Sequence, residues 1–262
     1  MIRALSTASS GMQCQQIFID NISNNLANVN TPGFKKTRVE FQDLLYESVR
    51  PVGASRLTGS GEPNFNQVGH GVRLSATTRI FSQGSSQSTD NPLDMMIDGD
   101  GFFQILLPDG TYAYSRDGTF KIDSDGNMVT SAGFRMEPAM TLPNEAEELL
   151  IAGDGSVSVL MQAQDEPTEL GRLELVRFQN PNGLKSIGHN LYKPTATSGP
   201  PLISSPGEEG IGTVQMGYLE MSNVSVIEEM IGMITAQRAY EINSKAVKTA
   251  EEMLDVAANL KR

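Results

Sequence analysis

Apolar residues recur every seven positions at both ends of this chain. Leu5, Met12, Ile19 and Leu26 make one ladder, with Ala8, Ile22 and Val29 three positions further on; Val226, Met233, Tyr240, Val247 and Leu254 make the second, with Ala236, Ala250 and Ala257 as small partners. A seven-residue repeat with a second apolar position offset by three lays one narrow stripe along a helix. The pattern predicts two long terminal helices, paired coiled-coil fashion with each other or with copies of themselves. The first must stop before Pro32, because the residue preceding a proline is pushed out of the helical region, and Thr31-Pro32-Gly33 then reads as a turn with glycine at positive φ. The second has a capping-box start, Ser225 followed by Glu228, and runs to Asn259. At 1.5 Å per residue it is roughly 50 Å long, too long for a compact β domain to bury.

Between the helices the pattern changes twice. From Pro51 to Gly71 the chain is PVGASRLTGSGEPNFNQVGHG, whose Gly, Pro, Ser and Asn content predicts an extended stretch without a core of its own. After it, short alternating runs are separated by turn pairs: FFQILL, then Asp109-Gly110, TYAYSR, Asp117-Gly118, TFKID, Asp125-Gly126 and MVTSA. Alternation broken by Asp-Gly is a hairpin signal. Further strands are predicted at Ser156 to Met161, Arg172 to Phe178 and Thr213 to Glu220. The expected fold class is α+β: residues 1–34 and 222–262 a helical assembly domain, 35–71 an extended connector, and 72–221 a β-rich domain with open strand edges blunted by Lys121 and Asp123. A narrow seam offsets little of the backbone entropy of two such helices, so their order is expected to depend on neighbouring copies.

Charge removes one class of function. The 262 residues carry a net charge of −11, and no run of Lys and Arg exists to neutralise phosphates, so nucleic acid is not the partner. The longest basic cluster, Lys35, Lys36 and Arg38, reads as cations just past a helix C-terminus. Residues 4–34 contain one charged residue, Asp20, among many Ser, Gln and Asn, a neutral face suited to packing against protein. The single cysteine, Cys14, reads as a small buried filler. No apolar run is long enough to span a bilayer, and the residues after Met1-Ile2-Arg3 do not form a secretory signal.

The candidate chemistry is thin. Asp123, Asp125 and Asn127 have calcium-loop spacing, but Gly126 is misplaced and Phe134 stands where a bidentate acid is required. Asp98-Gly99-Asp100-Gly101 reads as a tight turn. His70 and His189 each lack a second ligand at metal spacing, and no G-x-S-x-G elbow occurs. The thirteen methionines, several in the last helix, read as adaptable packing. No catalytic residue, cofactor site or metal site emerges.

Four blocks carry a family likeness. LANVNTPGFKK at 26–36, NPLDMMIDGDGFFQI at 91–105, SRDGTFKIDSDGNMVTSAGF at 115–134, and GYLEMSNVSVIEEM with AQRAYEINSK across 217–245 resemble, in this order, the axial proteins of the bacterial flagellum. The length matches the rod members better than the hook members, which carry an extra outer domain. The resemblance implies a structural subunit of a rigid helical tube that acts as a drive shaft across the periplasm. Its implied partners are copies of itself, other rod proteins, the hook protein, the surrounding ring proteins and the flagellar type III export apparatus, with no membrane insertion. The nine ladder residues would then serve subunit assembly, with Asn28, Asn30, Thr31, Pro32, Gly33 and Phe34 as the family motif. The other rod protein of similar size, a short hook protein, a secreted enzyme with helical tails and a non-flagellar coiled-coil adhesin are the alternatives.

Overall fold

The computed structural model describes residues 2–48, 67–143, 146–161 and 167–259. The chain is α+β and divides into two compact units. The first comprises the described parts of Met1–Leu26, Thr37–Thr78 and Ser225–Arg262, and the second those of Ala27–Lys36 and Arg79–Val224.

The first unit holds the helices α1 (Ile2–Ala27) and α2 (Val226–Asn259) together with strands β1 (Thr37–Asp43), β2 (Tyr46–Ser48), β3 (Gln67–Gly69) and β4 (Val72–Arg79). α1 ends where the proline requires it to, and Gly33 takes φ 68° in the turn beyond. α2 begins after Ser225, whose carbonyl accepts the Glu229 N–H at 3.0 Å. Both helices are continuous in the single chain. The stretch expected as a connector, 35–71, is instead paired strand in its described parts: β1 pairs with β4, and β2 with β3, Tyr46 opposite Gly69. The alternation of Thr37–Asp43 explains this, since it turns Val39 into the interior and sets Phe41 edge-on to Phe18 at 6.2 Å. Residues 49–66, most of the Gly- and Pro-rich run, lie outside the described residues. Cys14 is buried, and its thiol donates to Val72 O at 3.8 Å.

The second unit is β throughout. Its strands are β5 (Ser86–Ser88), β6 (Met95–Asp98), β7 (Phe102–Leu106), β8 (Tyr112–Ser115), β9 (Phe120–Ile122), β10 (Met128–Thr130), β11 (Arg135–Glu137), β12 (Ala146–Ile151), β13 (Ser156–Met161), β14 (Thr168–Arg172), β15 (Leu175–Arg177), β16 (Lys185–Gly188), β17 (Leu191–Lys193), β18 (Leu202–Ser204), β19 (Thr213–Met216) and β20 (Tyr218–Glu220). The main sheet runs β16-β17-β8-β7-β11-β10-β9, and β15 links β7 to β18. β12, β13 and β14 form a separate antiparallel sheet, β19 pairs with β6, and β20 with β5.

β7 is central because its sequence is apolar on both faces. Phe103 and Ile105 pack with Met95, Phe120, Met136, Val157 and Leu175 in the larger core. Phe102, on the other face, joins Tyr114, Val176, Phe178 and Tyr192 in an aromatic cluster of edge-to-face rings. The methionines divide against expectation. Met95, Met128 and Met136 are fully buried here, whereas Met230 and Met253 of α2 are exposed.

Glycine roles divide as well. Gly110 and Gly126 turn their hairpins at φ 76° and 80°, as Asp-Gly pairs do. Gly118 is required by space: a Cβ there would overlap the Met95 carbonyl oxygen. Gly118→Ala is therefore expected to destabilise the β unit by about 2–4 kcal/mol, read as a lower urea midpoint in far-ultraviolet circular dichroism. An unchanged midpoint would show that β6 can move aside.

Candidate functional site

The motif from Leu26 to Lys36 enters the β unit as a tight, fully tied segment. The Thr31 N–H donates to Asn28 O at 3.2 Å, and its hydroxyl donates to Asn28 Oδ1 at 3.3 Å. Pro32 O accepts Asn190 Nδ2 at 3.2 Å, and the same amide group donates to Asp117 Oδ2 at 3.0 Å. Asn190 and its neighbour His189 both hold positive φ, 59° and 53°, at the tip of the β16–β17 hairpin. Gly33 donates its N–H to Glu220 O at 2.8 Å, and a Cβ there would collide with the backbone of Arg116 and Asp117. Only glycine meets both that approach and φ 68°. Phe34 is buried, with the Arg79 guanidinium 5.8 Å over its ring; Asn30 remains exposed.

Beneath the motif lies a buried ion cluster. Lys35 has no exposed surface, Glu220 has 2% and Arg116 has 4%. Lys35 Nζ donates to Glu220 Oε1 at 2.5 Å and to Ser82 O at 2.8 Å. The same carboxylate oxygen accepts Gly84 N–H at 2.9 Å, while Oε2 accepts Arg116 Nη1 at 3.3 Å. Arg116 Nη2 donates to Gly99 O at 2.6 Å, and the guanidinium stands 5.5 Å over the Phe102 ring. Burial pushes the pKa of Lys35 and of Arg116 below the usual lysine and arginine values, with Glu220 pulling both back up. The reading of Lys35 as a cation at a helix end is thus corrected. It is an internal strut, and no local pattern marked it.

In the first unit α1 and α2 meet in one antiparallel register. Gly11 lies against Asn243, Ile22 against Gly232, and Asn25 Nδ2 donates to Glu229 Oε2 at 3.4 Å; as one number rises the other falls in step. Asn25 is buried and also exchanges hydrogen bonds with Thr37, through Thr37 N–H at 3.0 Å and Thr37 O at 2.9 Å. Ala8, Ile22, Ala236 and Ala250 are the buried seam positions. The ladder residues stand beside them: Leu5, Met12, Ile19, Leu26, Met233 and Val247 are half-buried, and Val226, Tyr240 and Leu254 are exposed.

Among the described residues no group of His, Cys, Asp and Glu could hold a metal, and no helix is long and apolar enough to cross a membrane. The densest polar chemistry, around Lys35, Arg116 and Glu220, holds the motif within the β unit. Residues 5–35 match the family described as "Flagella basal body rod protein", residues 96–159 the "Flagellar hook protein FlgE/F/G D1 domain", and residues 215–260 the "Flagellar basal body rod FlgEFG protein C-terminal". The chain is 54% identical over 264 residues to the flagellar basal-body rod protein FlgG of Borreliella burgdorferi, with both chains covered completely. It is 45% identical to that of Buchnera aphidicola subsp. Acyrthosiphon pisum and 44% to that of Caulobacter vibrioides, over 99% of this chain and 100% of each relative. The chain belongs to the FlgG family of flagellar basal-body rod proteins.

The ion cluster generates an ordered prediction. Glu220→Gln leaves two buried cations without a counter-charge and is expected to cost about 3–5 kcal/mol; Lys35→Met keeps the Arg116–Glu220 pair and should cost less. Urea unfolding followed by the near-ultraviolet circular dichroism of the buried tyrosines measures both. The reverse order, or two neutral variants, would contradict the assignment.

Proposed function

We infer that this chain polymerises with copies of itself, and end to end with other rod proteins and the hook protein, into the distal rod of the flagellum. In this reading the rod is a rigid helical tube whose wall is built from α1 and α2 and which carries torque across the periplasm. The coiled-coil-like pairing of the ends, contact with the surrounding ring proteins and passage through the type III export apparatus belong to the same reading. One observation carries it. α2 lays its small residues along α1 and leaves large apolar residues on its far side: Ile227 is 73% exposed, Ile231 60%, Ile234 51% and Ile242 66%. Ile234 and Ala236 are two residues apart, about 200° round the helix axis, so this stripe faces away from the seam. A helix apolar on both sides is stable only when both sides are covered.

The end of α2 supports the same conclusion. In the observed register α1 begins opposite the last turns of α2, and residues 251–259 are exposed throughout, including Met253, Leu254 and Val256. Such an overhang suits contact with the next subunit along a tube.

Ile231→Asp, on the outer stripe, is expected to leave the monomer within about 0.5 kcal/mol of wild type and yet to abolish assembly, because only a neighbour would bury the new charge. Met233→Lys and Leu26→Asp, at half-buried ladder positions, should also abolish assembly and loosen the helix pair while the β unit stays folded. Circular dichroism and sedimentation of purified protein, with electron microscopy of basal bodies from cells, separate these effects. Normal rods from Ile231→Asp would sink the reading.

A further inference from the structure

The isoleucine stripe of α2 needs a counterpart, and α1 does not offer one. The outer face of α1 is Ser6, Thr7, Ser9, Gln13, Gln16 and Asp20, all exposed and polar. The described surface of the same unit has another apolar feature, where the chain turns from β1 into β2. Leu44, Leu45 and Tyr46 line an open hollow of about 630 Å³, edged by Asp43, His70 and Arg73. Leu45 is 89% exposed, more than any other large apolar residue described, and Tyr46 is 55% exposed. A leucine held almost wholly in water beside a hollow of that size is unfavourable unless something covers it.

The charges around the two features are complementary. Along the α2 stripe a shallow groove is lined by Ile234, Gln237, Arg238, Glu241 and Ile242. The hollow presents one carboxylate, Asp43, and one guanidinium, Arg73, whose Nη2 donates only to the neutral Gln42 at 3.1 Å. Among the described residues none of Asp43, Arg73, Arg238 and Glu241 belongs to an ion pair. Each face therefore carries an apolar centre with one free charge of each sign. Two unlike but complementary faces on one chain make a head-to-tail contact, and repetition of that contact produces an open helical array.

We propose that the hollow between β1 and β2 receives the outer stripe of α2 from a second copy of this chain. Leu45 packs between Ile234 and Ile242, Arg73 faces Glu241, and Asp43 faces Arg238. The apolar contact supplies the burial, and the two charge pairs set the register in which the helix can dock. This rests on the self-assembly inferred above and names the surfaces that perform it.

Cross-linking in assembled rods tests the geometry. The full chain carrying Leu45→Cys with Ile242→Cys is expressed in cells, and isolated basal bodies are mildly oxidised. A ladder of chain multimers is expected, whereas Leu45→Cys with Ile187→Cys, which places the second thiol on the β unit, should give none; buried Cys14 alone is the background. Charge reversal tests the register: Arg73→Glu and Glu241→Arg should each lower the yield of rods about tenfold, and the doubly reversed chain should recover most of it. Absence of rods from the wild-type chain would overturn the assembly reading itself. Wild-type rods with no ladder and no recovery would overturn only this contact. So would a cross-link to a protein of different mass, or a Leu45→Asp chain that assembles normally but melts earlier as a monomer, which would show that residues 49–66 of the same chain cover the hollow.

Discussion

A buried carboxylate with two buried cations is the constraint on which the β unit is organised. Glu220 sits at the end of β20, the last strand before α2, and three chain segments are ordered around its side chain: Lys35 behind the motif, Gly84 through its N–H, and Arg116 after β8. Its backbone carbonyl holds Gly33 as well. Placing three charges where water cannot reach is costly, and an apolar core could often supply as much stability. What the ions add is position. Lys35 finds a counter-charge at one place in the unit, so the segment from Asn28 to Lys36 has one seat rather than several.

The first unit solves a different problem. Its helices must pair within the chain and still offer enough apolar surface to hold a polymer. On α2 the division is made by side-chain size: Gly232, against which Ile22 of α1 packs, Ala236 and Ala250 lie on the seam side, while isoleucines and methionines occupy the opposite face. Small residues on the outer face would give a neighbour little to bury. Asn25 completes the arrangement by satisfying both backbone groups of Thr37 at the start of β1, which ties the first strand to α1.

How much of this was legible depended on whether the signal was local. The proline stop of α1, the start of α2 after Ser225, the Asp-Gly turns and the central strand Phe102–Leu106 follow from short-range rules, and the structure has them at or within a few residues of the expected positions. The seven-residue ladders lie on the right helices: Val226, Tyr240 and Leu254 are exposed in the single chain, and of the residues three positions on Ala8, Ile22, Ala236 and Ala250 are buried. The strand pairing of 37–48 with 67–79 was hidden because its partners are separated by a long Gly- and Pro-rich run. The ion cluster was invisible altogether. Lys35 and Glu220 are 185 residues apart, and neither has a neighbour that marks it as internal.

That separation has a consequence for how the chain reaches its final form. Loop closure grows only slowly in cost with length, so a contact across 185 residues is thermodynamically acceptable, but it cannot form until residue 220 is present. Until then Lys35 is a lysine with no buried partner, and its desolvation opposes seating the motif. Seating of the motif therefore depends on β20, because Glu220 supplies both the counter-charge for Lys35 and the carbonyl that holds Gly33.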